Sequence, residues 1–285
     1  MRPTHILIAL SPFVAAPVLL QQYPALGIDI YLTFLVMSVL WSLLIILLPK
    51  HLENTPIILL RSKREVPRAL LRLLLALLGA AELFLLYHFK QMVQDEIFWG
   101  TITLLGLLSI SIRFRDLGKV DEALTTSFLY STGVAYLSFL LTTGQWHSEA
   151  ILPALGFGSL VLSYSLAQLL TQWSEEFPSI ERQEHVKKQR RKAEYMLRDL
   201  SVQKYSRMYS VSLPLAPLCF CIAAILHHLP SHYLVLILSL LVVREQVYTV
   251  RTLEAASPLP STFLLRHERY VVIFLVLLVI CGLLS

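Results

Sequence analysis

The chain has 285 residues, 56% hydrophobic and 15% charged, with a mean hydropathy of +0.65 and a formal net charge of +5. Soluble domains carry about 45–50% apolar and about 25% charged residues, so this chain lacks the charged surface that water requires. That excludes soluble enzymes, nucleic-acid-binding domains and disulfide-stapled secreted domains, and it predicts an all-α polytopic membrane protein. Cys219, Cys221 and Cys281 all lie in apolar runs, which points to packing rather than to a disulfide framework or a zinc site. The first residues carry no small-residue cleavage site, so no signal peptide is expected.

A helix needs about 20 apolar residues to cross about 30 Å of hydrocarbon. In chain order, nine stretches are candidates: 4–21, 28–49, 69–89, 97–112, 122–143, 149–172, 210–228, 231–250 and 269–285. The first contains Pro12 and Pro17, which predicts a kink or break. The eighth contains Arg244 and Glu245 near its end, which predicts a helix that continues past the membrane surface. With the N-terminus inside, 23 of the 24 lysines and arginines fall on inner segments, and Lys90 stands alone outside. The positive-inside rule then gives nine spans, N-in and C-out. The whole chain, 1–285, reads as one transmembrane domain whose cytoplasmic face consists of segments 50–68, 113–121, 173–209 and 251–268.

Candidate chemistry gathers on that inner face. The segment 173–209 is the most polar of the chain and is read as a long loop. Glu175, Glu176 and Glu181 open it, and grouped carboxylates at this depth suit Mg²⁺, a hard cation that commonly shares its coordination with substrate phosphates. A basic run follows, with Lys187, Lys188, Arg190, Arg191 and Lys192 inside six residues. Such a run draws anionic lipid headgroups, at about 1 kcal/mol per cation near the surface, or funnels a phosphate toward a site. Arg61, Lys63 and Arg64 in one inner segment, and Arg113, Arg115 and Lys119 in another, extend the set of cations able to hold a diphosphate. No aromatic-interleaved basic surface accompanies them, so nucleic acid is not an expected partner. His227, His228 and His232, around Pro230 on the outer side, read as a surface turn. Neither a phosphate-binding glycine loop nor a nucleophile elbow is present.

Four short motifs carry a resemblance: the opening R-P-T-H-I-L-I-A-L-S-P-F, D-L-G-K at 116–119, T-T-G-Q-W at 142–146 and F-P-S-I-E at 177–181. With the span pattern, they make the layout similar to the UbiA superfamily of intramembrane prenyltransferases, in particular its menaquinone-type branch. The resemblance implies nine helices around a central cavity, in a bacterial inner (plasma) membrane. It also implies transfer of a polyprenyl group from a prenyl diphosphate to an aromatic quinone precursor, with Mg²⁺ as cofactor. Both aspartate-rich motifs of the family are degenerate here. The two aspartates of the second fall on Ser179 and Gln183 and its asparagine on Glu175, while residues 50–64 hold no aspartate. Glu175, Glu176 and Glu181 are thus the metal candidates left. Two other readings stay open: an inactive relative that binds an isoprenoid or quinone lipid or partners an enzyme, and an unrelated multipass transporter or scaffold.

Overall fold

The computed structural model describes residues 28–52, 68–116, 119–143, 148–181, 188–226, 228–251 and 259–284, with side chains such as those of 175–181 and 188–200 outside the description. The first candidate span, 4–21, lies outside the described residues. Among the described residues there is no strand. Eight α-helices follow one another: α1 (Ile28–Leu52), α2 (Arg68–Met92), α3 (Asp95–Asp116), α4 (Val120–Thr143), α5 (Ile151–Glu181), α6 (Lys188–Ile225), α7 (Ser239–Arg251) and α8 (Phe263–Leu283). A short 3₁₀ turn, Ser148–Ala150, precedes α5, and a 3₁₀ segment, Ser231–Leu238, leads into α7. Four stretches among the described residues are long and apolar enough to cross a membrane: Arg72–Met92, Ser148–Ser174, Ser201–Ile225 and Ser231–Arg251. The described residues are thus helical, and these four stretches mark a membrane protein.

The expected inner loop 173–209 is corrected by this architecture. Helix α5 continues to Glu181 and α6 begins at Lys188, so both ends of that segment are helical. Hydropathy marks where a helix meets lipid, whereas Lys, Arg, Gln, Glu, Met and Leu, which fill K-K-Q-R-R-K-A-E-Y-M-L-R, are strong helix formers in water as well. The inner segment 113–121 shortens in the same way, because α3 runs to Asp116 and α4 starts at Val120. The helix that carries Arg244 and Glu245 ends at Arg251.

The chain forms two compact units, one of residues 23–130 and 140–145, the other containing 131–139 and 146–285. In the first, α1 packs against α2 and α3. Phe34 meets Phe89 with ring centroids 6.4 Å apart, and the Trp41 indole N–H reaches the Ser109 hydroxyl at 2.8 Å and the Leu105 carbonyl at 3.1 Å. Helix α2 turns Leu73, Leu77, Leu83 and Phe84 outward, while Glu82 is buried. Leucines out and an acid in is the reverse of a water-facing helix, and it fits lipid as the surrounding solvent.

In the second unit α5 and α6 form the most extensive pairing, and α7, α8 and the 3₁₀ segment close around them. Gly156 on α5 sets the approach: a Cβ there would lie 2.7 Å from the Phe220 ring and 3.3 Å from the Ala216 carbonyl. Phe220 in turn stands edge-on to Phe157 at 5.4 Å and packs on Phe274 at 5.9 Å. Small residues at such a crossing let two backbones close up where no hydrophobic effect drives them together. Several hydroxyls inside the helices are satisfied locally: Ser159, Ser165, Thr171 and Ser210 each donate to the carbonyl four residues back, as suits an apolar surrounding. The three cysteines are buried and form no disulfide, and the Cys221 and Cys281 thiols approach the Tyr233 and His232 carbonyls at 3.9 Å. His232 reaches the end of α8: its Nε2–H donates to the Cys281 carbonyl at 2.7 Å, one of the last carbonyls of that helix.

Candidate functional site

The second unit carries a buried polar cluster where α6, α7 and α8 meet. Tyr209 is the hub. Its hydroxyl lies 2.9 Å from the Gln246 Oε1 and 2.9 Å from the His267 Nδ1, and these two atoms are themselves 3.3 Å apart. The Gln246 amide N–H₂ donates to the Arg266 carbonyl at 3.4 Å, which ties α7 to the first turn of α8. Tyr209, Gln246 and His267 are all buried.

The rings of Tyr164, Tyr209 and Tyr270 enclose His267, with centroids 5.9, 5.6 and 6.3 Å from the imidazole. Beside them the Tyr164 hydroxyl donates to Glu268 Oε1 at 3.1 Å and accepts from the Gln168 side-chain amide at 3.1 Å. One phenolic proton serves two acceptors around Tyr209. If it goes to Gln246, the His267 Nδ1 carries the imidazole hydrogen and donates back; if it goes to Nδ1, the hydrogen sits on Nε2. In both arrangements Nε2, buried, has no hydrogen-bond partner among the described residues.

A shallow cleft adjoins the cluster, lined by Glu245, Gln246, Thr249, Pro260, Phe263 and Arg266. Gln246 belongs to both. An exposed ion pair, Arg266 to Glu245 at 2.9 Å, borders the opening; at the surface such a pair contributes about 0–1 kcal/mol. Arg244, Arg251 and Arg269 are exposed on the same helices. The arrangement therefore offers neutral donors and acceptors inside and cations outside.

The residues expected from sequence are distributed differently. Glu175, Glu176 and Glu181 stand on the final turns of α5, and their side chains lie outside the description. Successive positions on a helix turn by about 100°, which spreads 175, 176 and 181 around the helix at separations of about 100–140°. Arg113 is exposed near the end of α3, and the exposed Lys119 sets its ammonium 5.6 Å from the Phe114 ring centroid. The Arg115 side chain, and Arg61, Lys63, Arg64 and Lys187 altogether, lie outside the described residues. Among the described residues no group of three or more His, Cys, Asp or Glu is placed to hold a metal ion. Of the histidines around Pro230, His228 comes within 4.0 Å of Glu149, a carboxylate that the sequence separates from it widely.

The sequence reading missed Tyr209, Gln246 and His267. Each is a polar residue in or beside an apolar stretch, but nothing in their spacing shows that three helices bring them together. No protein-family model, curated protein or solved structure matches this chain.

Proposed function

We propose that the chain is a UbiA-like intramembrane prenyltransferase homologue. It takes a prenyl diphosphate from the membrane and transfers the polyprenyl group to an aromatic quinone precursor at the cytoplasmic face. The proposal includes nine spans about a central cavity, N-in and C-out, in a bacterial inner membrane. One observation carries it: α5 and α6 continue past their apolar stretches, Ser148–Ser174 and Ser201–Ile225, into charged extensions. Glu175, Glu176 and Glu181 are on the first extension, and Lys188, Arg190, Arg191 and Lys192 on the second, with residues 182–187 between them. Carboxylates and cations thus follow each other within one stretch of the chain, 175–192, where the motif F-P-S-I-E also falls.

The chemistry needs both kinds of group. Departure of pyrophosphate develops negative charge that must be neutralised as it forms. The donor set suits Mg²⁺ in part: carboxylate oxygens are its preferred protein ligands, and one or two suffice when phosphates and water complete the shell. Of the carboxylates on this extension, Glu175, Glu176 and Glu181 would be the ones to hold it. When bound, the ion would supply charge neutralisation at the diphosphate. Lys187, Lys188 and the arginines of the basic run would bind the diphosphate oxygens or the anionic lipids around them.

Turnover tests the reading. Full-length protein in liposomes, given a labelled prenyl diphosphate, a dihydroxynaphthoate-type acceptor and Mg²⁺, is expected to form prenylated product. Glu175→Ala/Glu176→Ala is expected to lower that rate on the order of 100-fold or more, because metal-ion stabilisation of such a charge is worth several kcal/mol. Absence of product from folded wild-type protein rejects the transferase.

A second reading is favoured by the Tyr209–Gln246–His267 cluster. Its polar atoms are neutral hydrogen-bonding groups, suited to the carbonyl or hydroxyl end of a quinone-like lipid. A relative that binds such a lipid without transferring it would show lipid binding and no product.

A further inference from the structure

We propose that Glu82 is a proton-binding site set inside the membrane-spanning part of the first unit. Glu82 stands near the middle of the apolar stretch Arg72–Met92 of α2. The residue is 2% exposed, and both carboxyl oxygens are buried without a hydrogen-bond partner among the described residues. On the same helix Leu83 is 70% and Phe84 67% exposed, so the carboxyl is turned into the protein while its neighbours face lipid.

Among the described elements, α1 and α3 pack on α2. Neither residues 30–49 of α1 nor 97–112 of α3 include a charged side chain, and Tyr31 is the titratable group within those stretches. The charged groups of these helices stand toward their ends: Asp29 and Lys50 on α1; Arg68, Arg72 and Lys90 on α2; Asp95, Glu96, Arg113, Arg115 and Asp116 on α3. His88 is exposed and stacks on Phe84, with centroids 6.2 Å apart. The antiparallel contact of Phe34 with Phe89 sets position 82 level with Ser38 and Trp41. The Trp41 N–H is already committed to Ser109 and Leu105.

A bare carboxylate is unstable in such surroundings, and no cation among the described residues is placed to pair with it. The group is held with its proton on, as an acid buried among apolar side chains. That makes the site a reservoir for one exchangeable proton, lost when water or a cation reaches the carboxyl. The inference is independent of the prenyltransferase reading.

Dicyclohexylcarbodiimide provides the test, because it partitions into lipid and reacts with protonated carboxyls. The carboxyl proton passes to a carbodiimide nitrogen, the oxygen adds to the central carbon, and rearrangement leaves a stable N-acylurea. Full-length protein in liposomes is expected to carry that adduct on the peptide containing Glu82, with modification falling as pH rises. Glu82→Gln should lose it. Infrared spectra of unlabelled protein should show a carboxylic C=O band, shifted in D₂O, that Glu82→Gln removes; should that variant not fold, Glu82→Asp should displace the band instead. No adduct on Glu82, while a water-soluble carbodiimide modifies the exposed Glu96, overturns the proposal. A carboxylic band unchanged in the folded variants overturns it as well.

Discussion

Replacing Gly156 with alanine is expected to weaken the α5–α6 pairing by about 1–3 kcal/mol, the usual cost of forcing extra volume into a packed interface. The new Cβ would sit 2.7 Å from Phe220 Cε2, 3.1 Å from Cδ2 and 3.3 Å from the Ala216 carbonyl oxygen. Relief would require the ring to move. Phe220 is fully buried, edge-on to Phe157 and against Phe274, so its displacement disturbs α5 and α8 together. The carbonyl is backbone and shifts only with α6 itself. Thermal unfolding in detergent should show a lower midpoint for Gly156→Ala. By contrast Gly79, Gly100 and Gly106 have no atom within 4 Å of a built Cβ, and alanine there should leave the midpoint unchanged or raise it slightly, since alanine is the better helix former. Equal midpoints for Gly156→Ala and wild type would show that the close crossing does not hold these helices together.

The buried cluster is expected to behave as a unit that tolerates one deletion and fails at two. Removing the Tyr209 hydroxyl leaves Gln246 Oε1 and His267 Nδ1 3.3 Å apart, close enough for Nδ1–H to donate to the amide oxygen. Removing the Gln246 amide leaves the 2.9 Å contact of Tyr209 with His267. Tyr209→Phe and Gln246→Leu should therefore each cost about 1 kcal/mol, the net worth of one hydrogen bond. Together they leave His267 buried with neither ring nitrogen partnered, and an unsatisfied buried group costs about 1–3 kcal/mol more. The double variant should exceed the sum of the singles, with the excess read from the midpoints of all four proteins. Simple additivity would mean that the three groups do not share their hydrogen bonds.

The helical class was legible because lipid demands long apolar stretches, and 28–49, 69–89, 97–112, 122–143 and 149–172 each overlap a described helix. Polar helix beyond the membrane was not, since hydropathy is silent on it; the helix-forming residues of 188–200 carried that signal. Nor did hydropathy distinguish the 3₁₀ start of the eighth stretch, Ser231–Leu238, from an α-helix. Much less of the site was readable. Gln246 and His267 lie 37 and 58 positions from Tyr209, and only the packing of three helices joins them. Glu82 is different: the sequence reading passed over this acid within the stretch 69–89, and its burial marks it.

Equilibrium binding of a labelled isoprenoid diphosphate to the purified full-length protein tests the functional account most directly. Saturable binding that excess inorganic pyrophosphate weakens, and that Glu175→Ala/Glu176→Ala weakens further in the presence of Mg²⁺, is the predicted result. Folded protein that shows no saturable binding at all would contradict it.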